Sequence, residues 1–392
     1  MGAAGGRLRA AAVAVAAVAA FLGPAAQAGT QVGTQAGTHA RAGAQPVVGG
    51  EALGSPRIVT GTGAPPVPQV SAAAWVVADA DTGEVLGARN AHGRYLPAST
   101  LKTLTAVALL PGLDLRKTYT PTFEDVNIEG SRVGLVQSVR YPVGKLAEAM
   151  LVVSGNDAAN ALANAAGGVP QTVHAMNATA QRLQAFDTTA RNPSGLDAPG
   201  QVTSAYDLAL IARAGLKDPT FARYVATLRD RVPAPGGKQF EIYNHNKLLT
   251  RYQGNIGIKT GYTIAARHTY VGAARRNGRT VVVTLLKAET LYPDATALLD
   301  WGFAALGRTV PVGRLVEPVP DAPADVRADR SRGTLPAVSD PVVRSGPSGS
   351  RRLPAVPAAG AAVGVGGLFV LRRRVLRRRY SGGRPRLDLP VR

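Results

Sequence analysis

Residues 255–286 read NIGIKTGYTIAARHTYVGAARRNGRTVVVTLL. Three strand-like segments lie within this stretch, Asn255–Thr263, His268–Arg276 and Arg279–Leu286, the last two joined by the turn dipeptide Asn277-Gly278. Toward the other end, Ala74–Asp79 and Glu84–Arg89 flank Ala80-Asp81-Thr82-Gly83 and predict a second hairpin. Between the two strand regions the chain is rich in Ala and Leu. Helices are expected at Ser99–Leu110, Lys145–Val152, Asp157–Ala166 and Ser204–Ala214, and Asp294–Leu306 reads as a closing amphipathic helix. Strands at both ends enclosing helices predict one sheet closed by both ends of the domain, with a helical insertion.

Working outward, residues 29–70 are Gly, Thr, Ala, Gln and Pro and read as a flexible linker. Residues 307–352, rich in Pro, Arg, Asp and Ser, read as a stalk, which leaves 71–306 as the folded domain. Arg7 and Arg9 precede the uncharged run Ala10–Leu22 and the small-residue site Ala26-Gln27-Ala28, the pattern of a secretory signal peptide over 1–28. Leu353–Leu371 carries no charge and is followed by Arg372-Arg373-Arg374 and Arg377-Arg378-Arg379. It is expected to be a C-terminal transmembrane helix, with 372–392 as a basic cytoplasmic tail and the domain on the extracellular face. Half of the net charge of +20 therefore sits at the two ends, and an exported body has little access to nucleic acid. The chain has no Cys, which excludes disulfides, thiolate metal sites and a Cys nucleophile. Its five His show neither HExxH nor clustered spacing with acids, so no metal or other cofactor is expected.

Only 8 of the 45 basic residues are Lys, which singles out Lys102, three residues after Ser99 on a predicted helix. A serine hydroxyl needs a base, and a lysine serves when burial keeps it neutral, whereas Arg does not. Alone, Ser-x-x-Lys is a weak signal, equally compatible with an N-cap serine and a solvated lysine. Ser154-Gly155-Asn156 adds a hydroxyl and an amide from a loop between helices. Lys259-Thr260-Gly261 adds a lysine within an otherwise apolar strand and a glycine that admits close approach. The ordered set at spacings of 55 and 105 residues is the signature of penicillin-interacting serine enzymes.

Over residues 71–306 the chain resembles the D-alanyl-D-alanine carboxypeptidases, the low-molecular-weight penicillin-binding proteins of peptidase family S11. The likeness extends to Trp75-Val76-Val77-Ala78-Asp79 with Thr82-Gly83, Pro97-Ala98-Ser99-Thr100-Leu101-Lys102 and Ser154-Gly155-Asn156-Asp157-Ala158. It also includes Asn192-Pro193-Ser194-Gly195-Leu196, Ser204-Ala205-Tyr206-Asp207-Leu208 and Asn244-His245-Asn246-Lys247-Leu248-Leu249. The resemblance implies an α/β transpeptidase/β-lactamase-like fold, an antiparallel sheet flanked by helices with an all-helical lobe and the site between them. It implies Ser99 as nucleophile, Lys102 as its base and Ser154 as the relay toward the leaving amine. Asn156 would hold the substrate amide, Lys259 and Thr260 beside Gly261 would bind the terminal carboxylate, and the backbone N–H groups of Ser99 and Tyr262 would form the oxyanion hole. The implied substrate is a peptidoglycan stem peptide ending in D-Ala-D-Ala, and β-lactams would acylate the same serine. One departure stands out: Arg267 and His268 follow Ala266 where the family usually has an Ala-Gly pair.

Three alternatives stay open. A D,D-endopeptidase would use the same machinery. A class A β-lactamase is disfavoured, because the triad is Ser-Gly-Asn and the only glutamate between Ser154 and Lys259 is Glu241. A non-catalytic wall-binding protein is disfavoured by the three intact motifs.

Overall fold

The computed structural model describes residues 46–320. The expected signal peptide, transmembrane helix and basic tail lie outside them, as do the start of the 29–70 segment and most of 307–352. Among the described residues no helix is long and apolar enough to cross a membrane.

After β1 (Ile58–Thr60), the first hairpin is β2 (Ala74–Asp79) and β3 (Glu84–Arg89), with the predicted boundaries. The chain then builds a helical lobe from α1 (Lys102–Leu109), α2 (Phe123–Val126), α3 (Val143–Val152), α4 (Asn156–Ala165) and α5 (Val169–Arg182). A small ladder of β4 (Thr118–Tyr119) and β5 (Tyr141–Pro142) lies within this stretch, and α6 (Ala205–Leu216) and α7 (Pro219–Ala226) follow it. A hairpin of β6 (Arg229–Pro233) and β7 (Gln239–Tyr243) and the short α8 (Leu248–Arg251) come next. The chain returns through β8 (Asn255–Thr263), β9 (Arg267–Arg276) and β10 (Arg279–Ala288), then α9 (Tyr292–Ala305) and β11 (Gly313–Arg314). Local chemistry sets several of these starts. Ser204 caps α6 by accepting the Asp207 N–H at 3.1 Å, and Asp218 caps α7 with Pro219 at its first position.

The sheet runs β1-β3-β2-β10-β9-β8, antiparallel throughout, with β11 also on β3. Its central strands β2, β9 and β10 are buried on both faces, and their period of two divides two cores. On β2, Ala74, Val76 and Ala78 join the core shared with the helical lobe, while Trp75 and Val77 face α9. Trp75 meets Trp301 of α9 edge to face, ring centroids 6.2 Å apart. On the lobe side, Thr284 of β10 donates to the first carbonyl of α6, Ala205 O, at 2.8 Å.

The folded unit is wider than the predicted 71–306. Leu53 is fully buried, β1 pairs with Gly87–Arg89, and β11 pairs with Glu84 and Val85. Arg314 N–H donates to Gly49 O at 2.8 Å, and Trp301 Nε1 donates to Pro65 O at 3.0 Å. Residues 46–70 and 307–320 are therefore part of the fold and not linker or stalk. They are held largely by backbone bonds to a sheet edge, which leave no apolar periodicity to read.

If these flanks are integral, Leu53→Ala lowers unfolding free energy by about 2–5 kcal/mol, the usual cost of a buried Leu truncation. Urea denaturation of the full chain checks this. A change within about 0.5 kcal/mol, as for a surface substitution, would return the segment to linker status.

Candidate active site

Ser99 does not lie within the α-helix proper. It sits in a 3₁₀ turn, Ala98–Leu101, which leads into α1 at Lys102. Positions three apart eclipse in a 3₁₀ turn, so the two side chains still share a face. Lys102 Nζ lies 2.9 Å from Ser99 Oγ, 2.7 Å from Asn156 Oδ1 and 2.6 Å from Ser194 O. Of these three partners two can only accept: the Asn156 side-chain carbonyl and the Ser194 backbone carbonyl. A neutral amine has two N–H bonds and one lone pair. Its donors are thus committed to Asn156 and Ser194, and its lone pair is left for the Ser99 hydroxyl. Complete burial, and then the charge of Lys259, push the Lys102 amine well below its ordinary value, while Asp157 opposes the shift.

Asn156 is fixed at both ends of its amide: Oδ1 accepts from Lys102, and Nδ2 donates to Glu129 O at 2.6 Å. The loop carrying Glu129 is in turn pinned by Asp157. Its carboxylate accepts the backbone N–H groups of Val133, Gly134 and Leu135 at 2.8, 2.9 and 3.1 Å. Ser154, 5% exposed, turns the chain from α3 into α4 in the left-handed region, with φ +62. Ala98, just before Ser99, is likewise left-handed at φ +46. Such conformations cost energy for residues with a Cβ and collect at functional sites.

Strand β8 supplies the opposite wall, and as an edge strand it has unpaired backbone groups along one side. Lys259 is buried, donates to Thr260 O at 2.7 Å, and is pushed down to about 7 by burial. A Cβ on Gly261 would stand 2.8 Å from Ser99 N and 3.0 Å from Thr100 N, so only glycine lets the strand lie against this turn. Tyr262, half exposed, stacks on His268 with centroids 4.8 Å apart. Ser99, Lys102 and Asn156 are thus joined directly by hydrogen bonds. Lys259 acts on them through its charge, and Gly261 through backbone contact. The side chains of Ser154 and Tyr262 make no hydrogen bond to the others.

Several partners were not legible in the sequence. Ser194 acts through its backbone carbonyl, held in place by Asn192, whose Oδ1 accepts from Ser194 N and Gly195 N. Asp157 read as a helix start, and only its burial among three N–H groups reveals a loop anchor. Arg267 stands at φ +57, the backbone state that suits glycine, and its side chain lies 3.8 Å from Glu289. Glu241 is exposed, with Tyr243 OH 2.5 Å and Arg231 3.5 Å from its carboxylate. His92, Asp187 and Asp207 bring their ligand-type atoms within 4.8 Å of one another. Both His92 ring nitrogens are nevertheless engaged, by Asp187 at 2.8 Å and Val48 O at 3.0 Å, so the cluster clamps the N-terminal flank.

The buried lysines fix a pH signature. The unfolded chain holds a proton on Lys259 up to its ordinary value of 10.5, whereas the folded chain releases it near 7. Between those values unfolding takes up a proton, so stability from this group rises with pH, and the cost of the buried charge is complete below about 7. Lys259→Met is expected to raise the urea midpoint most at pH 6, the gain shrinking by pH 9. A gain that grows with pH would contradict the buried-cation reading.

The chain is similar to several known proteins. Residues 60–290 match the family described as Peptidase_S11, D-alanyl-D-alanine carboxypeptidase. The chain is 43% identical over 250 residues to D-alanyl-D-alanine carboxypeptidase DacB2 of Mycobacterium tuberculosis, covering 62% of this chain and 86% of that one. It is 29% identical to DacF of Bacillus subtilis over 58% of this chain and 61% of the relative. Among solved structures, a D-alanyl-D-alanine carboxypeptidase from M. tuberculosis H37Rv is similar at TM-score 0.63 and 41% identity, covering 65% of this chain and 99% of that one. The Streptomyces K15 DD-transpeptidase is similar at TM-score 0.58 and 29% identity, covering 61% and 100%.

Proposed function

The chain belongs to peptidase family S11, the serine-type D-alanyl-D-alanine carboxypeptidases, and from that premise we propose that it releases the terminal D-alanine of peptidoglycan stem peptides through an acyl-enzyme on Ser99. The observation that carries this reading is the Lys102 amine, buried, held below its ordinary protonation range and placed 2.9 Å from Ser99 Oγ. Lys102 takes the Ser99 proton as Oγ attacks the carbonyl of the penultimate D-Ala. The Ser99 and Tyr262 N–H groups receive the developing oxyanion, the Ser99 group at the turn against which Gly261 packs. Ser154 passes a proton to the leaving amine. The terminal carboxylate lies against Lys259 and Thr260, where a charge-assisted bond favours the lysine's protonated form. Asn156 holds Lys102 with one lone pair of its carbonyl and Glu129 O with one N–H, which leaves the second N–H and the second lone pair for the substrate. Water then cleaves the ester.

β-Lactams present the same carboxylate and a strained carbonyl, and acylate the same serine. The β-lactamase alternative lacks support, because the Glu241 carboxylate is already engaged by Tyr243 and Arg231. For localisation, the signal peptide and the 353–371 span support a single-pass protein with its catalytic domain outside the cell membrane.

The full chain is expected to release D-alanine from an N-acylated peptide ending in D-Ala-D-Ala. Ser99→Ala and Lys102→Arg should each lower kcat/KM at least about a thousandfold, because nucleophile and base act as a unit. Retained activity in Lys102→Arg would remove the lysine from the role of base.

A further inference from the structure

Strand β8 lies at the edge of the sheet, and the mechanism proposed above fixes how a substrate runs along it. The terminal carboxylate is at Lys259 and Thr260, and the scissile carbonyl is at the Tyr262 N–H. A chain held at those two points runs antiparallel to β8, as a peptide does when it extends an exposed sheet edge. The last D-Ala then lies opposite Gly261, the penultimate D-Ala opposite Tyr262, and the residue before them opposite Thr263. Directly opposed residues of an antiparallel pair point to the same face, with Cβ atoms about 4.5–5.5 Å apart. An L residue at that position therefore sends its side chain to the face that Thr263 uses.

The neighbour of Thr263 on that face is a carboxylate. Thr263 Oγ1 donates to Asp197 Oδ1 at 3.0 Å. Asp197 is exposed and makes no ion pair among the described residues. Its position is nevertheless set by the site. It belongs to the segment 192–201, in which Leu196 O accepts from Asn192 Nδ2 at 2.8 Å and from Gln201 Nε2 at 2.7 Å. The same segment delivers Ser194 O to Lys102 and packs Gly195 so closely on Ala98 O that no Cβ would fit. The backbone that holds the base thus also holds Asp197, one strand position beyond the oxyanion residue. Arg267 faces Thr263 across the β8–β9 turn, but its guanidinium lies 3.8 Å from Glu289, which offsets its charge. Ile264, next along the strand, is 84% exposed, so the remainder of the donor chain leaves the cleft into solvent.

We propose that Asp197 selects the residue preceding D-Ala-D-Ala, favouring donors in which that L residue carries a long side chain ending in a free ammonium. A carboxylate at cross-strand range offers such a group an exposed ion pair, and offers a neutral or acylated side chain none. The inference rests on the carboxypeptidase reading, because the register is taken from the two contact points of that mechanism. The chemistry at Ser99 is the same for every donor.

The test uses the full chain and two peptides, Nα-acetyl-L-Lys-D-Ala-D-Ala and its counterpart acetylated also on Nε, with released D-alanine as the readout. Wild type is expected to show a kcat/KM about three- to fivefold higher for the free amine, the range of an exposed ion pair. The preference should shrink as salt is added. Asp197→Asn keeps a side-chain carbonyl to accept from Thr263 and is expected to bring the ratio close to one. Labelling of Ser99 by a fluorescent penicillin reports a folded site in the variant. Equal kcat/KM for the two peptides in wild type, a wild-type preference that salt does not weaken, or a preference that survives in Asp197→Asn would overturn the proposal and leave the carboxypeptidase reading standing. D-alanine release from neither peptide by a penicillin-reactive wild type would instead overturn the reading beneath it.

Discussion

Two ammonium groups in one dry cleft cannot both keep their protons cheaply, and the site is arranged around that constraint. Lys102 and Lys259 are both fully buried, and the charge of one disfavours the charge of the other. The lobe resolves the conflict by giving Lys102 two acceptors that suit a neutral amine. The strand side leaves Lys259 with the Thr260 carbonyl alone. In the proposed mechanism an incoming carboxylate would complete the coordination of Lys259 and restore the charge that burial had weakened, and the repulsion between the two lysines would then link that binding to the neutrality of Lys102.

The fold serves this pairing by assembling the cleft from two independent supports. Lys102 stands on α1, whose lead-in turn meets β8 at the Ser99–Gly261 contact. Lys259 stands on an edge strand backed by β9 and β10, which are buried on both faces. The third component, Asn156, reaches Lys102 from the α3–α4 junction and is backed by the loop that Asp157 anchors. Because each part is locked by buried hydrogen bonds, the left-handed residues at Ala98 and Ser154 are held where an isolated peptide would relax.

Much of this was legible in the residues, and what was not has definite causes. Strands β2, β3 and β8 follow their predicted limits because alternating apolar residues and turn dipeptides leave little freedom in register. The hairpin β6–β7 was missed, although Pro235-Gly236-Gly237 marks its turn. Its strands are only five residues each, and β6 opens on Arg229, Asp230 and Arg231 with Val232 as its one buried residue, so the short alternation of β7 has no apolar partner to read against. Helix α5 was missed for a related reason: its face toward the lobe is built from Thr172, Met176, Thr179 and Ala180, half of them threonines. At the site, side chains with distinctive chemistry announced themselves. The Ser194 carbonyl has no side-chain signature, and the folding of Asn192-Pro193-Ser194-Gly195 is what delivers it to Lys102.

The closure of the sheet has a mechanical meaning. The two ends of the folded unit are bonded to each other, Gly49 to Arg314, on the outer edge of β3. At about 4.8 Å per strand spacing, the β8 edge lies four strands away, roughly 19 Å. A pull through either end therefore meets first the bonds of Val319 to Arg182 and Glu317 to Arg213, or of Val48 to His92, and then the short β11 and β1 ladders. The cleft, at the far edge, lies out of the line of load. A hydrolase of this build can be tethered by its end and strained without its reacting groups being drawn out of register.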